Sequence, residues 1–204
     1  MIQTCSRRFV PLLVMSIMLL AGSGCALYAR NVDSLYEPTV STGGGSGEVY
    51  IVMPPKQATP SPELRWAIGT VTNSDGIKID EIFSPRSPAE LVQSALSLEL
   101  KRAGYTLHTV TTKPAGPEKA IDLIMVEVVV DQVSTFPDLT AICRIDVRLE
   151  VIKNGQVLKK LHYDAAASKK DVNGRDRMAG TVLQEALHSI MLRVVPDIVS
   201  ILEK

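Results

Sequence analysis

The run AICRIDVRLEVIKNG, residues 141–155, alternates strictly. Cys143, Ile145, Val147, Leu149 and Val151 fall on one side of an extended chain, and Arg144, Asp146, Arg148 and Glu150 on the other. A period of two is incompatible with a helix, whose apolar positions recur every three or four residues. It demands a strand with one face on a core and the other in water, as in antiparallel sheets. Asn154-Gly155 then turns the chain toward a second strand, residues 157–165. A two-residue loop would place Leu149 opposite Lys160 and Val147 opposite His162, setting apolar against polar across the core face. A three-residue loop, Lys153-Asn154-Gly155 with Gly155 left-handed, sets Val151 against Val157, Val147 against Leu161, Ile145 against Tyr163 and Cys143 against Ala165. One slip of register exchanges the faces of a strand, so the pattern predicts the three-residue loop.

The preceding segment IDLIMVEVVVDQV is β-branched and long. Ile124, Val126, Val128 and Val130 predict a fully buried face, with Leu123, Met125, Val129, Glu127 and Asp131 on the other. Shorter strands are expected in EVYIVMPP, in LRWAIGTVT before a turn at Asn73–Gly76, and at Tyr105–Thr111. Between them SPRSPAELVQSALSLELKRAGY carries a full set of helix signals. Ser87 is the N-cap, Pro88 the first helical residue and Glu90 the third, so a capping box is expected. Leu91, Val92, Ala95, Leu96, Leu98 and Ala103 form an apolar face, and Gly104 supplies a left-handed stop. A second helix is expected from about Gly174, with Ala179, Val182, Leu183, Ala186, Leu187, Ile190, Met191 and Val194 at helical spacing. Pro196 should kink or interrupt it. The fold class expected is α+β: a two-layer sandwich, its mainly antiparallel sheet of five or six strands carrying both helices on one face.

The N-terminus speaks to placement. Arg7 and Arg8 precede Phe9–Gly22, an apolar run of 14 residues. That falls short of the roughly 20 residues a membrane span needs and fits a secretory leader. The leader ends in Ala21, Gly22, Ser23 and Gly24, followed by Cys25. Small residues directly before a cysteine are the pattern of a bacterial lipobox, with Gly22 standing where Leu is usual. In this reading residues 1–24 are removed, the Cys25 sulfur takes a diacylglycerol, and the new amine is open to a further acyl chain such as palmitate. Residues 25–47, closing in STGGGSG, read as a lipidated N-terminus and flexible Gly/Ser linker with a reach of ~25 Å. Residues 48–204 form a single periplasmic domain.

Loss of the leader removes two arginines and no acid, leaving 20 basic and 22 acidic side chains in the mature chain. That balance gives no footprint for nucleic acid. Cys5 leaves with the leader and Cys25 is consumed by lipid, so Cys143 stands alone and no disulfide closes within the mature chain.

No constellation for catalysis stands out. His108, His162 and His188 lack a metal-ligand spacing, so neither a metal nor a cofactor is expected. Cys143 sits among apolar residues that favour a structural thiol over a nucleophile. Asp122, Glu127, Asp131 and Asp146 have no spacing that places two in one pocket. Trp66, Tyr50 and Tyr105 sit at strand positions and read as packing residues. Aromatics make up only 4% of the chain, which disfavours a sugar-stacking platform.

Together, the leader with Cys25, IGTVTNSDG, LVQSALSLELKRAGY, IDLIMVEVVVDQV, the Asn-Gly hairpin and the terminal helix resemble the YajG-like family of uncharacterised bacterial lipoproteins, over residues 66–195. The resemblance implies an envelope lipoprotein of unassigned molecular role and brings no catalytic residues. The expectation is therefore a non-enzymatic, membrane-anchored accessory module for a protein partner of the cell envelope. A lipid or small-molecule binding module of an envelope transport system is the alternative. Ala26 after Cys25 points to the inner leaflet of the outer membrane, facing the periplasm, since Asp there favours retention in the inner membrane of enteric bacteria.

Overall fold

The computed structural model describes residues 30–54, 65–172 and 177–204, apart from the single positions 34, 115, 117 and 136. The leader, Cys25 and the expected helix start at Gly174 lie outside these residues. The chain forms β1 (Arg30–Asn31), β2 (Glu48–Val52), β3 (Trp66–Asn73), β4 (Lys78–Ser84), α1 (Pro88–Ala103), β5 (Thr106–Val110), β6 (Lys119–Ser134), β7 (Leu139–Lys153), β8 (Gln156–Asp171) and α2 (Met178–Leu202). The α+β class is as expected. Two strands are missing from the sequence reading, the short β1 and β4, which pairs antiparallel with β3 around the Asn73–Gly76 turn. The Asn73 side-chain oxygen closes that turn by accepting from the Asp75 and Ile77 amides.

Strand β6 is the spine of the sheet. Along one edge it pairs antiparallel with β7 over its whole length, and β7 pairs with β8. Along the other edge it pairs parallel with β2 at residues 120–122 and with β3 at residues 130–134. Gly69 makes the second pairing possible. A Cβ there would lie 1.6 Å from the Val130 carbonyl oxygen.

Two registers differ from expectation, both through bulges. Asn154 and Gly155 have φ of 53° and 76°, so they form the two-residue turn with both central residues left-handed. The ladder begins at Lys153–Gln156 and then skips Leu158, setting Leu149 against Leu161, Val147 against Tyr163, Ile145 against Ala165 and Cys143 against Ala167. Parity is restored by a bulge and not by a third loop residue. Asn-Gly thus keeps its preferred turn, and the core faces still match. A second bulge at Ile124 lies between Leu123–Leu149 and Met125–Arg148. The core face of β6 is therefore Ile121 and Leu123 before the bulge, and Val126, Val128 and Val130 after it. Ile124 is left 47% exposed.

Helix α1 begins with the expected capping box. The Ser87 hydroxyl accepts from the Glu90 amide, and the Glu90 carboxylate accepts from the Ser87 amide at 2.7 Å. It ends at Gly104, φ 115°. Its buried face includes Glu99, whereas Leu98, expected there, is exposed. Helix α2 buries every apolar position named from its spacing and runs through Pro196 to Leu202 without a break. The proline removes only the hydrogen bond to the carbonyl of Leu192, on the side of the helix where Leu192 and Arg193 are exposed. The side chains of α1, α2 and the inner sheet face form one core.

Candidate functional site

Residues 30–47 are the described part of the segment that the sequence reads as a flexible linker, 25–47. They are instead docked along the domain. Arg30–Asn31 add a parallel pair to β4, and the Val32 amide continues to the Phe83 carbonyl at 2.7 Å. Val32, Tyr36 and Val40 then enter the core at 4%, 6% and 4% exposure. The chain between them has no regular structure of its own, so its polar groups need partners from the domain. Glu99 supplies them from the buried face of α1. Its Oε1 accepts from the Tyr36 hydroxyl at 2.6 Å, the Thr39 amide at 2.8 Å and the Val40 amide at 3.1 Å. Arg102 stands 3.9 Å from the other oxygen and also donates to the Pro38 carbonyl. Burial, and next the Glu99 carboxylate, push the Tyr36 hydroxyl well above its ordinary pKa, so it remains a donor.

The Gly/Ser run serves a tight passage. The Gly45 amide donates to the Ala103 carbonyl, and a Cβ on Gly45 would meet the Tyr105 ring at 2.4 Å. Beyond it lies a second latch at the C-terminal end of α2. The Glu203 carboxylate accepts from Lys119 Nζ at 2.8 Å, the Tyr105 hydroxyl at 2.7 Å, and the Ser46 amide and hydroxyl at 3.3 and 3.2 Å. Lys119 also donates to the Ser46 carbonyl at 2.8 Å. These bonds, those from Lys119 and Tyr105 foremost, hold the Glu203 carboxyl down to about 2. Burial and this same carboxylate raise the Tyr105 hydroxyl.

The residues considered for chemistry are dispersed. His108 stacks on Tyr50 with ring centroids 5.0 Å apart, His162 contacts Asp146 at 2.8 Å, and His188 meets the Thr39 hydroxyl. No group of three metal-binding side chains occurs among the described residues. Cys143 is fully buried, and burial pushes its thiol up to about 12. Trp66 packs against the core, and Tyr105 is buried. The sheet does bring carboxylates together, setting Asp122 opposite Glu150 and Glu127 opposite Asp146. Burial and Glu150 raise the Asp122 carboxyl. Cations are interleaved with these acids: Lys160 lies 2.7 Å from Glu150, and Arg144 2.6 Å from Asp131. That is a charge ladder on a wet sheet face.

Where β2 and β3 diverge, no strand among the described residues pairs with residues 123–129 on that edge of β6. An open groove of about 590 Å³ lies there, lined by Ile68, Thr70, Glu81, Pro88, Met125 and Glu127 among others. It opens where the pairings of β2 and β3 stop short of each other, of which sequence periodicity carries no trace. No helix among the described residues is long and apolar enough to cross a membrane.

No protein-family profile matches the sequence, and no curated protein resembles it significantly. Some solved structures are similar to it. A Xanthomonas campestris protein of the DUF330 family superposes with a TM-score of 0.50 over 82% of this chain and 91% of its own, at 7% identity. A minor lipoprotein from Acinetobacter baumannii gives a TM-score of 0.45 over 75% of this chain and 90% of its own, at 9% identity. The first of these likenesses establishes a common fold.

Proposed function

We propose that the protein is a non-catalytic envelope lipoprotein, held at a membrane by lipid on Cys25 and presenting its domain to a protein partner. The observation that carries this reading is the leader ending in Cys25, five residues before a chain segment clamped to the domain. A chain fixed so firmly next to its attachment point suits an anchor that must position the domain, and the resemblance to YajG-like lipoproteins agrees with it. The open edge of β6 supports a protein as the partner. Backbone amides and carbonyls along residues 123–129 offer an extended segment a strand to pair with, beside a groove with apolar and acidic walls. Ala26 favours the inner leaflet of the outer membrane, facing the periplasm.

Mass spectrometry of the mature N-terminus tests the anchor. The expected species starts at Cys25 and carries a diacylglycerol, and Cys25→Ser releases the protein from membranes. Recovery of an unmodified Cys25 from membrane fractions refutes it. Photo-crosslinking from position 127 in cells tests the partner. Absence of any discrete adduct there, with adducts from a control position elsewhere, counts against this edge.

A further inference from the structure

We propose that one end of the domain, formed by the β3–β4 turn, the end of β8 and the start of α2, rests on the phospholipid headgroup layer. This inference relies on the lipid anchor at Cys25.

The direction of the chain comes first. Strand β1 runs parallel to β4, with Arg30 opposite Ile82. The chain before Arg30 therefore points toward the start of β4 at Lys78, which is the β3–β4 turn. The registers identify what else lies at that end. Asn73 sits opposite Ser134, Ser134 opposite Leu139, and Leu139 opposite Asp171. Helix α2 begins shortly afterwards at Met178. The Asn154-Gly155 hairpin and Glu203 lie at the opposite end.

Length comes next. From the level of Arg30 to that of Lys78 is four residues of strand, about 13 Å. Cys25 is five residues before Arg30, a maximum reach of about 17 Å. Acyl chains on Cys25 sit in the hydrocarbon and hold its backbone at the interface. Docking of residues 30–47 thus shortens a nominal linker of more than 20 residues to five, and leaves only a few Å between this end and the headgroups.

The surface there suits the contact. Apart from Leu35, the most exposed large apolar side chains among the described residues are Ile77 at 61% and Val172 at 53%. They lie at this end, Ile77 just before β4 and Val172 just after β8, strands four places apart in the sheet, about 19 Å across. Arg177 at the start of α2 is exposed, next to Asn31 and Asp33. Lys170 pairs with Asp138 at 2.6 Å between the apolar tips, and acids and bases are interspersed around them, Asp75 and Asp171 beside Lys78 and Lys169. Two apolar tips around a rim of mixed charge match a headgroup layer of mixed phospholipids better than an anionic polymer.

The test uses full-length lipidated protein in vesicles of phosphatidylethanolamine and phosphatidylglycerol. Single Ile77→Cys, Val172→Cys and Gln156→Cys variants each receive an environment-sensitive thiol dye. Lipid on Cys25 and burial of Cys143 leave the new thiol as the reactive one. Position 156 reports the opposite end. The expected result is that dyes at 77 and 172 are quenched at least twofold more by nitroxide-bearing lipids than the dye at 156, and less by aqueous iodide. Vesicle-bound protein with equal quenching at all three positions overturns this inference and leaves the anchor standing. Shielding from iodide without quenching by lipid means that protein covers this end, and also overturns it. Failure to bind vesicles, with Cys25 found unmodified by mass, overturns the anchor and this inference together.

Discussion

Replacing Glu99 separates the two halves of the molecule most sharply. In Glu99→Ala, three buried or partly buried donors lose their shared acceptor: the Tyr36 hydroxyl and the Thr39 and Val40 amides. Each unsatisfied donor costs about 1–3 kcal/mol, hence about 3–9 kcal/mol if the segment stays in place. The alternative is release of the segment, which exposes Val32, Tyr36 and Val40 at about 1.5–3 kcal/mol each, less the chain entropy recovered. The chain takes the less costly route, so the loss is about 3–5 kcal/mol and falls on residues 30–47. Glu99→Gln keeps the carbonyl acceptor and loses only the charge assistance, costing about 1–2 kcal/mol. Hydrogen exchange at the Thr39 and Val40 amides reads the local effect, and urea unfolding reads the global one. The expected order of stability is parent, Gln variant, Ala variant, with exchange at 39 and 40 faster in Ala than in any helix amide of α2. An Ala variant within about 1 kcal/mol of the parent, with both amides still protected, would refute the assignment of Glu99 as the clamp.

Three further outcomes follow from single contacts. Glu203 has a folded pKa below its unfolded one, so its stabilisation is complete above the ordinary carboxylate range and is lost as pH falls toward about 2. Acid titration of parent against Glu203→Gln should therefore show a shallower loss of stability between pH 5 and 2 in the variant. Gly69→Ala should destabilise by more than about 3 kcal/mol, because its methyl would overlap the Val130 carbonyl and split β3 from β6; a thermal melt close to the parent's would show that the strands can part. Cys143 should resist alkylation at pH 8 in the native state and react only at the rate of global unfolding, since its thiol is buried and held protonated.

The fold was legible wherever local chemistry and core pattern agree. The capping box of α1, its glycine stop, the apolar stripe of α2 and the alternation of β7 are all present. Legibility failed where an irregularity satisfies two rules that looked opposed. At the hairpin, turn chemistry favours two residues and face matching favours odd parity. A bulge at Leu158 meets both. At Ile124 the consecutive apolar residues of LIMV hide a change of face, because four apolar residues in a row leave no polar one to mark the switch.

The docked segment marks the deeper limit, and it bears on what the anchor does. Val32, Tyr36 and Val40 recur every four residues, yet they belong to neither helix nor strand. Every partner that fixes them is distant: Glu99 is 59–63 residues away, and Glu203 is 157 from Ser46. No window of local sequence contains such a pair. A glycine-rich composition was the sole local signal, and it is ambiguous. The same lack of side chains that frees a linker also lets backbone pass within contact of Tyr105 and Gly104. Composition reports which conformations are permitted, whereas the buried carboxylate of Glu99 selects one of them. If the tether were free, the domain could explore a volume ~25 Å in radius about its anchor. With the segment clamped, lipid on Cys25 would fix both the height of the domain and the end it turns to the membrane, so loss of Glu99 should leave anchoring intact and randomise orientation.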